Sequence, residues 1–180
     1  LPGRWWAYRG VEDTSRWDTL KVLSDSAYGD YDAYSLLQLT PADSDTDLAY
    51  YDEEGFLHMV DELLCDSPLV LRFEVDQKLL PPELLTGDTW TVFRVETTVA
   101  AGYVNLTVHA TALVLYGEEK AGFTATPIRI TVRYLPEGGG LSPWTERRTL
   151  WFSEGIGFVW REDSTWRGIA QDSLEAWGGP

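Results

Sequence analysis

The sequence predicts an all-β protein: an antiparallel, curved sheet, rolled as a half-barrel or folded as a sandwich, of about ten strands with little helix. Three observations predict it. The run from Gly102 to Tyr116 places Val104, Leu106, Val108, Ala110, Ala112, Val114 and Tyr116 on alternate positions, with Asn105, Thr107, His109 and Thr111 between them. A two-residue period kept over that length marks a strand with one buried face. At about 3.3 Å per residue it extends roughly 46 Å, longer than an ordinary strand, and so calls for a large curved sheet around it. The same alternation recurs in shorter runs, such as Leu69, Leu71, Phe73 and Val75, and Ile128, Ile130, Val132 and Tyr134. Turn-forming residues punctuate these runs at short intervals, which is the pattern of strands joined in sequential hairpins.

Taken in order, Trp5–Arg9 and Trp17–Leu23 read as two opening strands across the polar turn Gly10–Arg16. A turn over Ser24–Asp30 leads to a strand over Tyr31–Thr40, where Tyr31, Ala33, Leu37 and Leu39 share a face. Pro41–Asp47 reads as a loop, because proline, serine and aspartate favour turns. Leu48–Tyr51 and Phe56–Leu64 form a hairpin across Asp52–Gly55, with Gly55 supplying a positive φ. Phe56, Met59, Val60, Leu63 and Leu64 also fit helical spacing, so a short helix is the alternative there. Pro68–Val75 is a strand, and Pro81 with Pro82 marks a connection. Trp90–Val99 pairs with the long strand through a turn at Ala100–Gly102, and its change of apolar phase between Val92 and Phe93 predicts a β-bulge. After a polar turn over Gly117–Lys120 comes the strand Phe123–Tyr134, in which Pro127 belongs at an edge or bulge. Thr145–Phe152 and Ile156–Arg161 make a further hairpin, and a strand or short helix runs from Thr165 to Trp177.

Composition bounds the function. The 180 residues, 44% hydrophobic with nine tryptophans, suit one domain over 1–180 with a real core. No apolar run approaches the roughly 18 residues of a membrane-spanning helix. The first residue, Leu1, is expected to follow a removed signal segment or a trimmed end. A net charge of −15 argues against binding nucleic acid through its phosphates. From Val22 to Leu71 there are twelve acidic residues and no lysine or arginine, and the only lysines are Lys21, Lys78 and Lys120. Such an acidic, lysine-poor surface suits a salty or exposed environment. Cys65 is the single cysteine, which excludes an internal disulfide and a cysteine-based zinc site.

Gly87 and Trp90, then Gly117 and Glu118, then Ala121, Gly122 and Phe123, then Trp151 with Gly155, Gly157 and Val159 form an ordered pattern. Over roughly Leu80 to Trp166 it resembles uncharacterised secreted and lipoprotein domains of bacteria, which are similar to the LolA-like lipoprotein-carrier half-barrels. The stretch between Glu118 and Gly122 is shorter than in those domains. The resemblance implies a sheet curled around an apolar cavity and an extracytoplasmic location in the cell envelope, periplasm or surface.

Candidate sites follow from residue type and pattern. A lipid or other apolar ligand would lie against Trp90, Val104, Leu106, Val108 and Phe123, with Ala110 and Ala112 leaving room. Aromatic residues crowd the first third, and Trp5, Trp6, Tyr31, Tyr34, Tyr50 and Tyr51 among acids form a candidate face for a partner protein. Asp43, Asp45 and Asp47, with Glu54 twelfth in the count from Asp43, follow the oxygen-ligand spacing of a calcium loop, although Leu48 stands where such loops need glycine. Ca²⁺ is thus the one candidate cofactor. His58 and His109 are the only histidines. Glu118 with Glu119, and Asp52 with Glu53, are adjacent acids that a carboxylate-based hydrolase would use, but both pairs fall in turns. No nucleophile elbow or phosphate-binding glycine loop is present. The expectation is a non-catalytic binding or accessory structural module docking on an envelope or surface protein, with a carrier of an apolar ligand as the alternative.

Overall fold

The computed structural model describes residues 2–42, 44–65, 71–99, 104–165 and 168–179. Among them are thirteen strands and no helix: β1 (Trp5–Gly10), β2 (Trp17–Tyr28), β3 (Tyr31–Leu39), β4 (Ser44–Tyr51), β5 (Leu57–Cys65), β6 (Leu71–Leu80), β7 (Thr89–Val99), β8 (Val104–Val114), β9 (Glu118–Lys120), β10 (Phe123–Glu137), β11 (Trp144–Ser153), β12 (Gly157–Thr165) and β13 (Gly168–Gly178). They form a single antiparallel sheet in the order β6-β5-β4-β3-β2-β1-β13-β12-β11-β10-β8-β7, with β9 paired to the start of β10. Two steps join strands that are not neighbours in sequence: β10 beside β8, which passes over the short β9, and β1 beside β13, which brings the chain ends together and lets the sheet roll up. The rolled edges approach at β6 and β7, where the Trp90 indole N–H donates to the Lys78 carbonyl at 2.7 Å.

The all-β antiparallel expectation holds, with thirteen strands where about ten were expected. Three of the differences have local causes. β2 continues through Ser24–Tyr28 because a register shift between Val22 and Ser24 absorbs the polar residues, leaving Gly29 (φ 58°) and Asp30 to turn. β4 begins at Ser44, inside the expected loop, because pairing with β3 outweighs the turn preference of its aspartates. The expected polar turn at Gly117–Lys120 contains β9, closed onto β10 by Ala121 (φ 53°) and Gly122 (φ 83°), the two positive φ values of a type I′ hairpin. Residues 57–65 are strand rather than helix, and so is the last segment, β13. The predicted bulge in β7 falls between Thr91 and Phe93. Pro127 sits where the neighbour of β10 changes from β9 to β8, so its missing N–H interrupts no ladder, and its carbonyl accepts from Leu115. The expected turn at Ala100–Gly102 lies outside the described residues.

Register identifies the inner face, because directly opposed residues share a side. Ala112 opposes Ile130, and Ile130 opposes Arg148. One half of the interior is apolar: Phe93, Leu106, Val108, Ala110, Ala112, Ile128, Ile130 and Tyr134 pack with Leu71, Val75 and Leu150 in the main core. The other half, lined by β11–β13 and β1–β4, carries charges beside a smaller apolar cluster of Val22, Leu36 and Ala49 packed by Trp6 and Leu20.

Candidate functional site

The inner-face charges come from strands far apart in sequence. On β12, Arg161 opposes Leu150 of β11 on one side and Asp172 of β13 on the other. Its Nε donates to Asp172 Oδ2 at 2.7 Å and its Nη2 to Asp18 Oδ2 at 2.7 Å. Asp18 also accepts from Gln38 Nε2 at 3.0 Å, and Arg16 reaches Asp172 from the turn before β2. Burial alone would push the Asp172 carboxyl up, but the hydrogen bonds and charges of Arg161 and Arg16 outweigh it and hold the group below the usual carboxylate range. Next along the wall, Arg148 Nε donates to Asp163 Oδ1 at 2.6 Å. Arg148 keeps 44% side-chain exposure although it shares a face with Ile130, so it looks toward the open mouth of the barrel.

Facing this wall, Asp47 of β4 is 5% exposed and its Oδ2 has no hydrogen-bond partner. Burial first, then the carboxylates of Asp61 and Asp45, push its carboxyl up to about 7. Burial also raises Asp61, whose own field includes Arg148 across the interior. The lattice therefore holds acids in excess over its three arginines, and relieves part of the excess by keeping a proton on Asp47.

A second constellation lies on the outer face at the other end of β4. Tyr50, 4% exposed, stacks with Tyr28, Tyr31 and the His58 ring at centroid distances of 5.2, 4.9 and 4.7 Å. His58 Nδ1 lies 2.8 Å from Asp76 Oδ1 and 3.1 Å from the Tyr50 hydroxyl, while Nε2 lies 3.1 Å from Asp52 Oδ2. Both ring nitrogens are occupied by protein groups and one ring face is covered. The imidazole thus clamps β4, β5, β6 and the turn after β4 together, and offers neither nitrogen to a substrate.

The predicted ligand residues separate. Trp90, Leu106 and Val108 join the main core, the last two at 1% and 0% exposure, and Val104 is buried at 3%. Phe123 belongs instead to a cluster around Trp151 and Val159 and meets Trp177 edge-on at 5.5 Å. Among the described residues, open hollows of about 170 Å³ lie beside Trp6 and Trp177 and of about 260 Å³ beside Trp144 and Glu146. Both fall below the usual range for a small-molecule pocket, about 300–1,000 Å³.

The predicted partner face is largely drawn into the fold. Tyr51 is 58% exposed, whereas Tyr50 is buried and Trp5, Trp6, Tyr31 and Tyr34 are half-buried. Trp6 donates to the Ile156 carbonyl at 2.6 Å, and the Trp5 indole fills the notch at Gly178, where an added Cβ would lie 3.0 Å from its Nε1. The calcium spacing is not realised as a loop: Asp45 and Asp47 lie in β4, facing inward, while Glu54 sits beyond the far end of that strand and pairs with Lys78 at 2.7 Å. Asp43 lies outside the described residues. The adjacent acids serve separately as well: Glu118 accepts from the Trp151 indole and Glu119 from Thr124, each at 2.6 Å, while Asp52 caps the amides of Glu54 and Phe56.

The architecture has a solved counterpart. A candidate lipoprotein from Parabacteroides distasonis ATCC 8503 is similar in fold, with a TM-score of 0.60 over 99% of this chain and 96% of that one. At 13% identity the likeness is one of fold. No family model and no curated protein matches the chain.

Sequence reasoning missed the charged lattice. Arg148, Arg161, Asp163 and Asp172 occupy positions whose alternation is polar on both faces, so no apolar stripe marks their inner side. The available signal was the interruption itself: Leu150 is followed inward by Arg148, and Leu174 by Asp172, within otherwise alternating strands.

Proposed function

We propose that this chain is a non-catalytic, extracytoplasmic binding module, an accessory subunit that docks on another protein of the bacterial cell envelope or surface. The observation that carries this reading is the arginine–aspartate lattice on the inner face. A lipid held as in a LolA-like carrier would have to lie against Arg161, Asp18 and Asp172, and burying acyl chains there would strip charges of solvation with nothing in return. The apolar half of the interior is already filled by its own side chains. The likeness in fold to a candidate lipoprotein supports the envelope location. The exposed Tyr51, beside Glu53 and Glu54, is the part of the expected aromatic and acidic face that is free to meet a partner.

The test is native mass spectrometry of the chain incubated with palmitate and with phosphatidylglycerol vesicles, together with a photo-crosslinking residue at Tyr51 in the producing cells. The reading expects the bare 20.3 kDa mass after both incubations and one discrete heavier protein adduct on crosslinking. A one-to-one lipid adduct restores the carrier alternative, and a Tyr51 that yields no adduct removes the docking face.

A further inference from the structure

β4 and β5 pair only from Leu48 opposite Val60 to Tyr51 opposite Leu57. Both strands continue beyond that point, β4 remaining paired to β3 down to Ser44 and β5 to β6 down to Cys65. The wall therefore forks, and the first residues past the last rung are Asp47 and Asp61, which the register would place directly opposite each other. Each neighbouring aspartate holds a main-chain amide at the fork: Asp61 Oδ1 accepts from Glu62 N at 2.6 Å and Asp45 Oδ1 from Thr46 N at 2.7 Å. A carboxyl pair at such a point can be bridged by one proton, whereas two carboxylates there repel.

We propose that the fork between β4 and β5 is a proton-operated seam in the barrel wall, closed while Asp47 and Asp61 share a proton and opened toward the charged interior when the pair is fully ionised. The groups facing the pair favour such a device. Asp45 on β4 and Asp18 on β2 add negative charge from the same wall, and Arg148, anchored by Asp163, supplies the one positive charge from β11 across the interior. The elevation of the Asp47 carboxyl to about 7 places the transition near neutrality. Because the folded state holds this proton more tightly than the unfolded chain, its contribution is complete in acid and is lost as pH rises through about 7.

Amide hydrogen exchange, corrected for intrinsic chemistry, tests this at about pH 5.5 and about pH 8.5. In the wild-type chain, protection over 44–48 and 60–62 should fall roughly tenfold at the higher pH while that of β8 and β10 holds. Asp47→Asn should abolish the difference, and Asp61→Asn serves the same purpose if the first variant fails to fold. Equal protection at both pH values, a loss shared by β8, or a loss that persists in the variants would overturn the proposal.

Discussion

Arg161 joins three strands through two carboxylates, and the strength of that joint depends on its surroundings. Asp18 and Asp172 are 6% and 5% exposed, so removing the guanidinium would leave two carboxylates largely out of water, Asp18 with the neutral Gln38 amide as its side-chain donor and Asp172 with Arg16 alone. Losing one partner of a buried ion cluster costs about 3–5 kcal/mol, far more than the cluster adds over an apolar replacement of the whole. Arg161→Met is therefore expected to lower unfolding free energy by about 3 kcal/mol in urea titration. Arg94, paired with Glu96 where both side chains are more than 60% exposed, is the control: Arg94→Ala should cost under about 1 kcal/mol. Comparable costs for the two would mean that the lattice is solvated and does not brace the interior.

Among the elements, β8 has the most regular burial. Val104, Leu106, Val108, Ala110, Ala112 and Val114 are all at 3% exposure or less, alternating with exposed or half-buried residues that are polar except for Leu113. Ala110 opposes Phe93 on one side and Val132 on the other, so its small side chain makes room for theirs. Ala110→Trp would force a large ring into filled space and is expected to destabilise by about 1–3 kcal/mol or more. An unchanged melting temperature would instead reveal unfilled volume beside β8, the property a carrier needs.

Over the whole molecule, the sheet is nearly closed, and its two edges, β6 and β7, meet through side chains more than through a ladder. The Trp90 indole bridges them by its bond to Lys78, while its ring meets Phe56 edge-on at 6.1 Å and Lys78 Nζ lies 3.8 Å above the Phe56 ring. Trp90→Phe keeps an aromatic ring but leaves the Lys78 carbonyl without its donor. The expected cost is about 1 kcal/mol in equilibrium unfolding, with faster amide exchange in β6 and β7 than in β8. Exchange that rises uniformly across the sheet would show that closure does not depend on this joint.

The strand pattern was determined by sequence alone, because a two-residue period with one buried face has a single physical meaning. The runs in β6, β8 and β10 and the bulge in β7 could be read directly from Leu71, Phe73, Val75, Val104–Val114 and the slip between Val92 and Phe93. Ambiguity arose where local preference and tertiary pairing disagree: residues 57–65 fit a helix by spacing and become strand because β4 and β6 supply hydrogen bonds on either side. Only the tertiary structure decided which polar residues face inward. Arg148, Arg161, Asp18, Asp47 and Asp172 look like ordinary solvent-facing residues until β1 is placed beside β13 and the edges roll together. Closure then turns one face of every strand into an interior, and charges separated by as many as 156 positions, as in Arg16 with Asp172, become neighbours.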